Sequence, residues 1–143
     1  MDKVKHSVAI VVRGPGDGTF LLVRRPDDPS DPLAGAWGFP AVTLAEGEDE
    51  ESGVTRAGRV KLGVEVGAVR KIGMKHGIQN GTSLLLAEYE AVILAGSPAV
   101  PQPDASMTQY TALRWTDDPG ELAPAAARGS LCAQVFLEDR AHG

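Results

Sequence analysis

Apolar residues group into short strand-like runs early in the chain, a sparse helical stretch in its middle and a helical stripe at its end. Ser7 to Val12 (SVAIVV) is a β-branched run closed by Gly14-Pro15-Gly16-Asp17-Gly18, and Phe20 to Arg25 (FLLVRR) resumes it, which predicts a hairpin. Pro26 to Ala36 carries three prolines and three aspartates and reads as a loop. Trp37-Gly38-Phe39-Pro40 is a short extended piece, because proline pushes the residue before it out of the helical region. Ala41 to Leu44 adds a short strand before an acidic turn at Ala45-Glu46-Gly47-Glu48. A helix follows from Glu50 to Leu62, with acidic residues at its start and Lys61 and Gly63 at its end. Gly53 and Gly58 inside it each cost roughly 1 kcal/mol against alanine, so tertiary packing must hold it.

The second half reads as strands closed by a helix. Val64 to Ile78 contains strand-like stretches broken by glycines, Asn80-Gly81 is a tight-turn dipeptide, and Thr82 to Leu94 is a long strand. Gly96 to Ser106 is a proline-rich loop, Tyr110 to Trp115 a short strand and Asp117-Asp118-Pro119-Gly120 a turn. Pro124 to Arg140 predicts a last helix, with Leu131, Cys132, Val135 and Phe136 on one face. The sum is an α+β domain, a mixed β-sheet sandwiched between helices (α/β/α), spanning 1–143 as a single unit.

Composition narrows the function classes. The chain has 143 residues and a net charge of −5, so bulk electrostatics favour no nucleic-acid polymer. A small anion would need a local group of Lys and Arg. The lone Cys132 excludes an internal disulfide and a multi-cysteine zinc site. The first apolar run ends at Val12 in Arg-Gly-Pro-Gly, too short for a secretory signal, and no apolar stretch is long enough to span a membrane. The expectation is a cytoplasmic protein.

Several groups are candidates for chemistry, each beside a plainer role. Glu46, Glu48, Asp49, Glu50 and Glu51 form an acidic run able to recruit a divalent cation, or to complement a helix N-terminus. Glu88 and Glu90 share one face of a strand and could supply a base, although a solvent-facing edge is the expected reading. Arg59, Lys61 and Lys71 could hold a phosphate directly, or be ordinary solvated cations. Trp37, Phe39, Tyr110 and Trp115 could stack a base; Trp115 is expected in the core. His6, His76 and His142 fall in no ligand spacing, and Cys132 reads as a core thiol.

The segment from Trp37 to Val64 and the order of elements resemble the Nudix hydrolases. That family's box is Gly, five residues, Glu, seven residues, Arg-Glu-aliphatic, one residue, Glu-Glu, one residue, Gly-aliphatic. Laid without gaps on Val42 to Val64, it matches at Glu48, Arg56, Gly63 and Val64, and departs from it at Val42, Ala57, Gly58, Val60 and Lys61. Arg24-Arg25, Trp37-Gly38-Phe39-Pro40 and Leu113-Arg114-Trp115 also resemble the family. The resemblance implies a hydrolase of nucleoside diphosphates linked to another moiety, with helical glutamates holding Mg²⁺ against the diphosphate. The departures put a methyl, an isopropyl and an ammonium at 57, 60 and 61, where that family carries carboxylates.

Two readings follow. In the first, the box is degenerate, Glu48 is the remaining catalytic candidate, Glu48 and Glu51 the remaining metal ligands, and pyrophosphohydrolase activity is weak or absent. In the second, the chain is a non-catalytic sensor that binds a nucleotide or nucleotide-like diphosphate through Arg24, Arg25, Trp37, Arg56 and Lys61. A purely structural homodimer is the remaining alternative.

Overall fold

The computed structural model describes residues 4–14, 16, 18–79, 81–100 and 110–142. Pro15, Asp17 and Asn80 of the expected turns, and 101–106 of the expected proline-rich loop, lie outside the described residues. The elements are β1 (Lys5–Arg13), β2 (Phe20–Arg24), β3 (Trp37–Gly38), β4 (Ala41–Thr43), α1 (Glu50–Ala57), β5 (Glu65–Gln79), β6 (Thr82–Ala95), β7 (Ala112–Thr116), α2 (Ala123–Ala127) and α3 (Leu131–His142). A π-helical turn, Gly58–Leu62, continues α1, and a 3₁₀ turn, Pro119–Leu122, leads into α2.

All seven strands join one mixed sheet, in the order β3-β2-β1-β6-β5, with β4 paired to β1 and β7 paired to β2. β1 is its centre. It runs parallel to β6 from Lys5↔Leu84 to Arg13↔Val92, and antiparallel to β4 at one end and β2 at the other. A strand covered on both faces should be apolar at every position, and Val8 to Val12 are all buried. Val8, Ile10 and Val12 pack with Val54, Ala57 and Leu62 on the α1 side. Ala9 and Val11 pack with Leu131, Ala133 and Phe136 on the α3 side. Phe20, Phe39 and Phe136 close that second layer with ring centroids 4.8 to 6.1 Å apart.

Three local expectations change. The glycines of the 64–78 region do not break a strand: β5 is continuous over 15 residues, with three register irregularities against β6. Gly73 and Gly77 are seats for α3, since a Cβ on them would lie 3.3 Å from Val135 and 2.8 Å from Leu131. The helix expected from Pro124 to Arg140 is two helices. Gly129, at φ 98°, turns the chain where an L side chain is disfavoured, and the Ser130 hydroxyl accepts from the Ala133 amide at 3.3 Å to restart it as α3. The break frees Arg128 to donate to the Pro32 and Ala34 carbonyls, which ties down the 26–36 loop. Trp115 is not in the core: it is 36% exposed on β7, its ring against Gly14.

Candidate ligand cavity

The acidic turn ahead of α1 is built by its own side chains. Gly47, at φ 80°, closes it, and the Glu48 amide donates to the Ala45 carbonyl at 3.0 Å. Asp49 caps α1, accepting from the Ser52 amide at 2.7 Å. Arg56, two turns into the helix, reaches back to Glu48 with a bidentate pair, Nε to Oε2 at 2.9 Å and Nη2 to Oε1 at 2.9 Å. It also donates to the Thr43 carbonyl at 2.6 Å, and the Ala45 amide donates to Glu48 Oε1 at 2.9 Å. Arg56 and this amide hold the Glu48 carboxyl below its usual range. Glu51 is exposed in the first turn of α1 and stands apart from this pair.

Further along, α1 and its π turn bury what they carry. Ala57 is fully buried in the core, Val60 packs against it, and Lys61 is only 4% exposed. Lys61 lines a cavity of roughly 330 Å³ together with Arg25, Trp37, Tyr110, Lys5 and Cys132. Its ammonium lies 5.3 Å from the Tyr110 ring centroid. Burial, then the positive charges of Arg25 and Arg56, bring its pKa down to about 8.

The cavity has a cationic wall and an apolar one. Arg25 is oriented by Asp31 at 2.8 Å. Trp37 is backed by the Arg114 guanidinium, 4.1 Å from its ring centroid. Leu84, Leu86 and Leu131 form the apolar side. Of the cations and the aromatic that the sequence proposed for ligand binding, Arg25, Lys61 and Trp37 meet here. Arg24 and Arg56 lie outside the lining: Arg24 pairs with Asp27 at 3.1 Å, Arg56 with Glu48. Arg59 and Lys71 do not join Lys61 either, being paired with Glu65 and Glu50.

The fold was compared with known proteins. No protein-family model matches the chain, and no curated protein does. Solved structures do. A Nudix hydrolase from Nitrosomonas europaea superposes with a TM-score of 0.74 at 22% identity, over 99% of this chain and 90% of its own. A MutT Nudix hydrolase from Burkholderia pseudomallei gives 0.64 at 26% identity, over 81% and 84%. This chain has the Nudix fold. An ADP-ribose pyrophosphatase from Streptococcus suis shares it at 15% identity, with a TM-score of 0.59 over 81% of this chain and 77% of its own.

The Mg²⁺ site implied by the Nudix resemblance can be tested on the donor set. Mg²⁺ takes hard oxygen ligands in near-octahedral geometry. At the helical box positions this Nudix-fold chain offers the core methyl of Ala57, the side chain of Val60 and the buried ammonium of Lys61. Glu48 has both oxygens engaged by Arg56 and an amide. Glu50 is held by His6 at 2.9 Å and by Lys71 and Tyr89 at 2.8 Å each. These residues do not fit the metal.

That Glu50 cluster went unseen in the sequence, because His6, Lys71 and Tyr89 come from three different strands. The Tyr89 phenol is pushed up to about 12 by burial and by the carboxylate it donates to. Glu88 and Glu90 also differ from expectation. Neither is at a solvent-facing edge: Glu88 is fully buried among the α3-side residues, and Glu90 is ion-paired with Arg13. No donor among the described residues reaches either Glu88 oxygen, and burial, reinforced by Asp139, raises its pKa well above the carboxylate range. A signal existed. Leu84, Leu86 and Glu88 alternate along β6, so Glu88 had to follow the leucines to the buried face. Glu88 therefore faces α3, on the β6 face that also carries Leu84 and Leu86.

Proposed function

We propose that this Nudix-fold protein binds a nucleotide or nucleotide-like diphosphate in the cavity between the 26–36 loop and α3, and that metal-dependent pyrophosphohydrolysis by it is weak or absent. The observation carrying this reading is the buried Lys61 ammonium lining the cavity beside Arg25, at a box position where the Nudix resemblance implies a metal-binding carboxylate. A lysine and an arginine contact phosphate oxygens directly, and need no bridging cation. The volume suits a small molecule, and the apolar wall with Trp37 suits a planar base or sugar. The likeness to an ADP-ribose pyrophosphatase adds nucleoside diphosphates linked to another moiety as the ligand class to test.

The test is a thermal-shift and calorimetry panel of nucleotides, ADP-ribose and dinucleotides, each with Mg²⁺ and with EDTA. A ligand at about 100 times its Kd adds roughly 2.7 kcal/mol. The same stabilisation is expected in both buffers, and Lys61→Ala should weaken binding at least tenfold. Affinity should also fall as pH rises past about 8, where Lys61 loses its proton. Stabilisation that appears only with Mg²⁺, accompanied by phosphate release, would overturn the proposal in favour of an enzyme.

A further inference from the structure

At the other end of α3 is a second, smaller cavity of roughly 160 Å³. Three guanidiniums reach its lining from separate elements: Arg13 from the end of β1, Arg70 from β5 and Arg140 from the last turn of α3. Two carboxylates hold the first two in place. Arg13 donates to Glu90 at 3.1 Å, and Arg70 donates to Asp139 at 3.2 Å with Glu90 at 3.8 Å. Arg140 has no carboxylate within ion-pair distance among the described residues, and lies over the Phe136 and Phe20 rings at 5.0 and 5.8 Å. Three positive groups against two negative ones leave one net positive charge here, on a chain whose net charge is −5.

The geometry points to this cavity as a binding site for a single tetrahedral oxyanion, a phosphate or a phosphate monoester. Each guanidinium presents five N–H donors in a fixed fork. Arg13 and Arg70 each use one or two of them, so donors are left over for a ligand. Thr19 also lines the cavity, its hydroxyl donating to the Gly16 carbonyl at 2.8 Å. The cavity holds the liquid volume of about five waters, room for one oxyanion and below the size of ordinary small-molecule pockets. A cation is favoured at a helix C-terminus by itself, so Arg140 alone would mean little. The convergence of Arg13 and Arg70 on it from two strands is what builds the site. Cys132 and Arg140, which line the two cavities, are eight residues apart on α3, about 12 Å along its axis.

The experiment uses the Lys61→Ala chain, so that phosphate held in the first cavity does not contribute to the signal. Inorganic phosphate is titrated by calorimetry at constant ionic strength, with glucose 6-phosphate in a parallel arm. Saturable one-to-one binding is expected, weakened at least tenfold by Arg70→Gln with Arg140→Gln and partly kept by Arg140→Lys. Should the double variant unfold, Arg140→Gln alone, an exposed position, gives the same comparison. Binding of both probes identifies a phosphomonoester as the ligand, and binding of phosphate alone identifies the free ion. No saturable binding to the Lys61→Ala chain, or equal affinity after the arginines are removed, overturns the inference. Neither outcome bears on the Lys61 cavity, which is tested separately with nucleotides.

Discussion

Replacing Glu88 with leucine should make the protein more stable by about 1–3 kcal/mol, the penalty for a buried polar group left without partners. The carboxyl is fully buried between β6 and α3, and no donor among the described residues reaches it. Leucine keeps the shape and removes the desolvation. The pH dependence identifies the cause. An unfolded chain titrates Glu88 near 4.5, whereas the fold holds it protonated well above that. Below the lower value both states carry the proton and nothing is lost. As pH rises past it, only the unfolded state ionises freely, so stability falls by about 1.4 kcal/mol per pH unit until the folded group also titrates. Chemical denaturation of the wild type between pH 4 and 8 should show this decline, and Glu88→Leu should flatten it. A destabilised variant with an unchanged pH profile would mean that Glu88 has a partner in solution.

The order of elements was legible because strand runs and turn residues are local signals. SVAIVV, FLLVRR and TSLLLAEYEAVIL each announce a strand without help from the rest of the chain. What was not legible depended on partners distant in sequence. Gly73 and Gly77 looked like interruptions until α3 was known to lie on them. The break at Gly129 was hidden inside an alanine-rich stretch with good helix propensity, and its purpose shows only in the Arg128 bonds to the 26–36 loop. For the cavity, the sequence supplied Arg25, Trp37 and Lys61 but not the exclusion of Arg24. Arg24 is the last residue of β2 and pairs with Asp27, while Arg25 just beyond the strand lines the cavity, so of two neighbouring arginines only one does.

The box itself separates shape from chemistry. Glu48 and Arg56 keep the turn and α1 in register, while Ala57 lies in the core and Lys61 in a cationic cavity wall. Arg56 and the Ala45 amide together engage both Glu48 oxygens. The residues that match the box are those that shape the backbone, with Gly63 at φ 72° ending the π turn.

Arg56→Ala should accordingly cost stability rather than only binding, by about 2–3 kcal/mol. Three charge-assisted bonds disappear at once, two to Glu48 and one to the Thr43 carbonyl, and a mostly buried carboxylate is left without its cation. Arg56→Lys should recover less than half of the loss, because an ammonium cannot span both Glu48 oxygens and the carbonyl in one plane. Glu48→Gln should fall between the wild type and Arg56→Ala, since an amide still accepts one of the bonds. The double variant Glu48→Ala with Arg56→Ala should be less damaged than the sum of its parts, with the difference in a double-mutant cycle giving the coupling. The pH profile carries its own sign. Arg56 depresses the folded-state pKa of Glu48, so the pair stabilises the protein above the ordinary glutamate range and the contribution is lost as pH falls through the depressed value. Urea unfolding at pH 7 and at pH 3 reads this directly. If Arg56→Ala unfolds like the wild type at neutral pH while nucleotide binding collapses, the pair belongs to the ligand site after all, and the division between shape and chemistry drawn for this box is wrong.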